Sequence, residues 1–304
     1  MKKIIKALIV NTKMKKFLSI SLSFVALLLA HSSCVQERVE RFEQDRVITF
    51  DAFFSNPTKS GALKSPFKVW GIESSPTTEM VLESETFAPV DGIWRSEREH
   101  LWGPDDSMMS FFAISPSDVP ATFSRDKGVC VKGFDISASA PDLKFATLTG
   151  VRKPQADLPT SIVFQSALCD VEFRAKSVAS DDISITITKV TLSDVVTAGD
   201  FCTLPSPEWT LGPKKTELVV FEGNVLLTEE AQSLGEVMSV IPQNLKPRIT
   251  LRYNFDSGMG GVIKDIDVEM NRDFKWRVGK KRIYTFKVSQ NLGLTSDIVT
   301  AEDK

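Results

Sequence analysis

The chain has 304 residues, with 37 basic against 39 acidic side chains and a formal net charge of −2. It therefore has no basic excess with which to track a phosphate backbone, which argues against nucleic acid as a partner. Only two histidines, His31 and His100, are present, and His31 falls within the expected signal segment, which argues against a multi-histidine metal site and a Ser-His-Asp triad. No catalytic residue, no metal and no cofactor is expected.

Lys15 and Lys16 precede an apolar run at 17–30, and the small residues Ser32 and Ser33 stand directly before Cys34. A basic start, an apolar run shorter than the roughly 20 residues of a membrane span, and small residues before a cysteine are the marks of a bacterial lipoprotein signal. Residues 1–33 are expected to be removed, with Met14 as a second candidate start, and Cys34 is expected to carry the lipid. His31 stands where such signals usually carry Leu or another apolar residue. Residues 34–46 then read as a lipidated tether, charged and without apolar periodicity.

From Val47 onward short apolar or alternating runs recur to near the end, at 47–54, 67–72, 109–115, 145–148 and 162–164. Later runs alternate strictly: Ile183, Ile185 and Ile187; then Ile249, Leu251, Tyr253 and Phe255; then Tyr284, Phe286 and Val288. Period two predicts half-buried strands. Turn signals separate them at Asp91-Gly92, Gly103-Pro104, Ser206-Pro207, Gly212-Pro213 and 258–261, a punctuation that favours a sandwich. One short helix is expected at 228–234, with Thr228 as its N-cap and Glu229 and Glu230 in its first turn. The segment 152–159, with Pro154 and Pro159, is the expected linker between an N-terminal domain at 47–153 and a C-terminal domain at 154–304.

The 20 Phe, set within these runs, are expected to fill a β core. Cys130, Cys169 and Cys202 are far apart and odd in number, so core thiols are the default, with a single disulfide left open in an oxidising compartment. His100, beside Leu101 and Trp102, reads as a packing or surface residue. Gly258-Met259-Gly260-Gly261 lies between two strand-like runs with no helix after it, so a hairpin loop is expected and not a dinucleotide turn. Gly279-Lys280-Lys281 reads as a basic turn. Asp105-Asp106, Asp181-Asp182 and Asp265 with Asp267 lack a calcium ligand ladder.

Several segments taken together resemble the fimbrillin family of Bacteroidales lipoproteins, in its minor-fimbrillin-like branch. They are FKVWGI at 67–72, Trp94 followed by LWGP at 101–104, MSFFAISP at 109–116 and IVFQSALCDVEF at 162–173, in which Gln165 stands where a histidine is common. VTL at 190–192 with GDF at 199–201, VIPQNL at 240–245, and Trp276 with Gly279, Lys280 and YTFKV at 284–288 continue the likeness. Their order and spacing carry it.

The resemblance implies an all-β protein with two tandem transthyretin-like β-sandwich domains after a lipoprotein signal peptide. It implies a structural or adhesive pilus subunit, of tip or accessory kind more than main stalk, held at the outer membrane through the lipid on Cys34 or built into a fimbrium. In that family an arginine-directed cut removes an N-terminal strand, and a neighbour's donor strand fills the vacated groove by β-augmentation. Other pilus subunits would then be the partners. Arg38, Arg41 and Arg46 are the candidate cut sites, and 292–299, with Leu292, Leu294 and Ile298, is the candidate donor strand. The second reading is a monomeric surface lipoprotein binding glycan or host protein through Trp70, Trp94, Trp102, Trp209 or Trp276. A hydrolase using paired carboxylates is a third.

Overall fold

The β-branched and aromatic runs fold as strands in the computed structural model, which describes residues 47–56, 59–74, 78–104, 107–138, 142–154, 158–269, 273–289 and 299–303. In chain order the first half contains β1 (Phe50–Asn56), β2 (Lys59–Ala62), β3 (Phe67–Glu73), β4 (Glu79–Val90), β5 (Ile93–Ser96), β6 (Met108–Ser115), β7 (Ala121–Ser124), β8 (Gly128–Asp135), β9 (Lys144–Arg152) and β10 (Thr160–Ser166). The second half contains β11 (Cys169–Ser177), β12 (Ser184–Val196), β13 (Ala198–Cys202), β14 (Glu208–Leu211), β15 (Lys215–Leu226), β16 (Gln232–Ser233), β17 (Met238–Val240), β18 (Asn244–Leu245), β19 (Arg248–Asp256), β20 (Gly261–Glu269), β21 (Phe274–Lys275), β22 (Lys281–Val288) and β23 (Val299–Asp303). Among the described residues the one helical element is a single 3-10 turn, Ile136–Ala138. The expected all-β class holds.

The first sheet runs β10-β9-β6-β3-β4-β5-β1-β2, and β10 also pairs with β1, so the sheet closes on itself as a ring with β2 attached to β1. Its interior holds Phe50, Phe67, Val69, Leu82, Phe87, Met109, Phe111 and Phe164. The outer side of β3 and β6 is covered as well, because Trp70, Ile72, Phe112 and Ile114 pack against Val129, Val131, Phe134, Phe201 and Trp209. Those residues belong to a second sheet, β14-β13-β8-β7. Burial on both faces explains why 67–72 and 109–115 read as continuous apolar runs and not as alternating ones.

In the second half β11, β22, β16, β17 and β23 form one sheet, and β15-β12-β19-β20 forms another. Phe173, Tyr284 and Phe286 of the first meet Ile185, Ile187, Val190, Leu251 and Tyr253 of the second in one apolar cluster. This is a sandwich in which the strictly alternating runs have one buried and one wet face. Gln243, 6% exposed, sits inside it: its amide donates to the carbonyl of Val196 at 2.8 Å and accepts from the Val196 N–H at 3.1 Å. A side chain here takes the place of a neighbouring strand, which gives the 240–245 motif its physical meaning.

Strands from both sides of the expected linker share sheets. β10 pairs with β1, and β13 pairs with β8. At that second junction Cys202 faces Cys130, with Cα atoms 4.2 Å apart and 72 residues between them in sequence, and the two form a disulfide. The default of core thiols therefore fails for this pair and holds for Cys169, which is free and buried. Burial pushes the Cys169 thiol up to about 11.

The helix expected at 228–234 is absent. The Thr228 hydroxyl donates to the Glu230 carbonyl at 3.2 Å, and Gln232 and Ser233 pair with Ala175 and Arg174 of β11. A segment of this length forms too few internal hydrogen bonds to offset helix nucleation, so pairing with an existing strand prevails. Two of the expected turns form: Asp91 and Gly92, at φ 51° and 82°, make the tight reversal between β4 and β5, and 258–261 links β19 to β20 as a hairpin.

Removing the disulfide by Cys130→Ser with Cys202→Ser releases a long closed loop and is expected to lower stability by about 4 kcal/mol in the chain-entropy account. The midpoint of urea unfolding, oxidised against variant, measures it.

Candidate functional site

Alternation at the start of the described chain puts Ile48, Phe50 and Ala52 on one face, exposed 1%, 0% and 2%. That face enters the ring. β1 lies parallel to β10, with Phe50 opposite Thr160 and Phe54 opposite Phe164, and its other side pairs with β2 and, at Phe50–Trp94, with β5. Main-chain bonds tie its approach: the Ile48 N–H donates to the His100 carbonyl at 2.7 Å, and the Thr160 N–H donates to the Thr49 carbonyl at 2.9 Å.

Phe50 is the centre of this seat. Its ring lies 4.9 Å from Phe87, 5.1 Å from Phe111 and 6.0 Å from Phe67, all at steep angles that place ring edges against ring faces. Phe164 and Trp94 continue the wall through Phe67, at 5.0 and 5.1 Å. Without β1 the ring would have an open side lined by aromatic groups, a shape that accepts an extended strand with bulky residues at alternate positions. On the outer face Phe53 and Val163 are neighbours across β1 and β10, 40% and 49% exposed.

Cys34, Arg38, Arg41, Arg46, Leu292, Leu294 and Ile298 lie outside the described residues. Their order in the chain still has a consequence. All three arginines precede β1, and the next arginine in the sequence is Arg95, within β5. Val299, the last residue of the expected donor segment, opens β23 and pairs with Phe286 of β22.

The five tryptophans do not serve as stacking platforms. Trp70, Trp94, Trp102, Trp209 and Trp276 are between 1% and 8% exposed, each within a core cluster. Trp209 also donates its indole N–H to the Ala167 carbonyl at 2.7 Å. His100 is a packing residue with its Nε2 3.3 Å from Glu85 Oε1. No group of three or more His, Cys, Asp or Glu that could hold a metal ion occurs among the described residues. Among the described residues Glu172, on β11, is a well-buried carboxylate held in an ion-pair cluster. Burial pushes its carboxyl up, but Lys281 Nζ at 2.7 Å and Arg174 Nε at 2.6 Å outweigh that and hold it below the usual glutamate range. Such a group is fixed as a structural anion.

The family model described as fimbrillin-like matches residues 60–303, nearly all of the chain beyond β1. The chain belongs to the fimbrillin-like family. Its fold is similar to that of a fimbrial protein from Bacteroides vulgatus, at 14% identity and a TM-score of 0.61, covering 85% of this chain and 98% of that one. A protein from Bacteroides uniformis assigned to cell adhesion is similar at 16% identity and a TM-score of 0.54, covering 85% and 96%. Another so assigned, from Bacteroides ovatus, is similar at 13% identity and a TM-score of 0.53, covering 85% and 95%. No curated protein matches the sequence. Of the features of this fimbrillin-like chain, the β1 seat was foreshadowed only by the alternation at 47–54, and nothing in the sequence tied β1 to β10.

Two measurements check this description. Phe50→Ala should cost about 3–5 kcal/mol, the range for emptying a buried aromatic site, read from the unfolding midpoint. Because the Glu172 carboxyl is depressed, its contribution is present above the unfolded value of about 4.3 and is lost as pH falls through the folded value. Glu172→Gln should therefore flatten the loss of stability on acidification from about pH 5 to 3, measured by thermal melts across that range.

Proposed function

We propose that this fimbrillin-like protein is a cell-surface pilus subunit, accessory or tip rather than stalk, exported as a lipoprotein through Cys34 and joined to a neighbouring subunit by strand exchange in which it gives the strand. Family membership supports a pilus subunit or adhesin and no enzyme. The observation that carries the finer reading is the place of β1: a single strand completes an aromatic-lined ring, and every candidate cut site lies ahead of it.

A cut at Arg38, Arg41 or Arg46 would separate the folded part from its lipid and leave Phe50–Asn56 in its seat. A subunit that keeps its first strand does not accept a neighbour's strand there. It joins a filament at one end, by offering its own segment 292–299, and stalk subunits, which must both give and receive, are a poor fit to that arrangement. The lipid, uncut, would hold the same subunit at the outer membrane.

The test treats the purified precursor with an arginine-specific protease and reads the new N-terminus by mass spectrometry. The expected product begins at or before Val47, keeps its melting temperature and stays monomeric. Loss of β1 with oligomerisation would sink the end-position reading. Separately, deleting the residues after Gln290 should abolish labelling of surface filaments in immuno-electron microscopy while the deleted protein remains folded.

A further inference from the structure

A cavity of about 280 Å³ opens where the ends of β1 and β2 meet the end of β6 and the start of β9. Phe54, Ala62 and Leu63 are its apolar lining, and Ser115, Asp142 and Lys144 are among its polar lining. Lys144 is the unusual member, because its side chain is only 18% exposed. Its ammonium lies 4.8 Å from the centre of the Phe54 ring and pairs with the Asp142 carboxylate. Asp142, 45% exposed, keeps acceptor capacity on the open side, and Lys144 has further N–H donors.

These features restrict the ligand. The ion pair cancels charge within the cavity, and Lys64, the other charged lining residue, is exposed and solvated. A free anion or cation therefore gains little there. What remains is a donor beside an acceptor in a cavity with an apolar share to its lining. Neighbouring hydroxyl groups on a sugar ring donate and accept together, and the C–H face of the same ring suits Ala62 and Leu63, since the Phe54 ring already carries the Lys144 ammonium. The volume lies at the small end of ligand pockets, about 300 Å³, which suits one ring and not an oligosaccharide.

We propose that this cavity binds a single sugar ring at the end of a glycan. The proposal goes beyond the assembly reading, since a filament end could form with the cavity empty. It also gives the adhesive alternative a site that the buried tryptophans do not provide. Because Phe54 belongs to β1, the binding wall exists only while β1 is seated.

Saturation-transfer NMR on the full chain, with the methyl glycosides of glucose, galactose and N-acetylglucosamine as probes, tests it. At least one probe should receive saturation. Asp142→Asn, which removes the acceptor charge, and Ala62→Trp, which fills the cavity from an exposed position, should each weaken that probe about tenfold or more. Both variants should keep the parent melting temperature, and Ala62→Trp should still label filaments. No transfer to any of the three glycosides, or transfer that both folded variants leave unchanged, overturns the site without touching the assembly reading.

Discussion

The fold depends on β3 and β6 being covered on both sides. Phe67, Val69 and Phe111 face the inside of the ring, while Trp70, Ile72, Phe112 and Ile114 face outward. An outward face that apolar cannot be left wet, since each such side chain gains about 1.5–3 kcal/mol on burial. The covering sheet must therefore form, and no single stretch of the chain supplies it. β7 and β8 come from before the expected linker and β13 and β14 from after it. The two halves are joined through this need, and the Cys130–Cys202 bridge fastens the seam at the register pair where the two contributions meet.

The ring interior follows from a different constraint. The six strands β10-β9-β6-β3-β4-β5 can close around an aromatic core only if both ends of the sheet find a partner, and β1 provides it by pairing parallel to β10 while touching β5. A parallel pair between two strands remote in sequence cannot be made by a hairpin. It sets β1 apart from its neighbours: its hold on the ring comes from side-chain burial and main-chain bonds, with only β2 joined to it by a short connection. Those are the terms on which one strand can replace another.

Much of this was legible in the sequence. Period-two runs such as Ile249, Leu251 and Tyr253 reported strands with one wet face, and the glycines at 92, 258 and 260 marked real reversals. What could not be read was partnership. Nothing local to Cys130 or Cys202 reveals that they face each other, and nothing in 160–166 announces that it sits beside 50–54, because register between distant strands is fixed by the assembled core. The 228–234 segment misled for a related reason: Thr-Glu-Glu is a sound helix start, but the free side of β11 was nearby and offered partners for Gln232 and Ser233. The cavity was hidden too, since Asp142 and Lys144, two residues apart, meet Phe54 only once the ring has formed.

The parallel union of β1 and β10 also orders events in time. As the chain emerges, Phe50 and its flanking residues appear first, yet the strand they must lie beside is finished only when Ser166 has been delivered. Until then the ring is open and its aromatic lining is exposed, a state that invites pairing with any passing strand. The folding chain thus passes through a window in which it is receptive, and it leaves that window by its own closure.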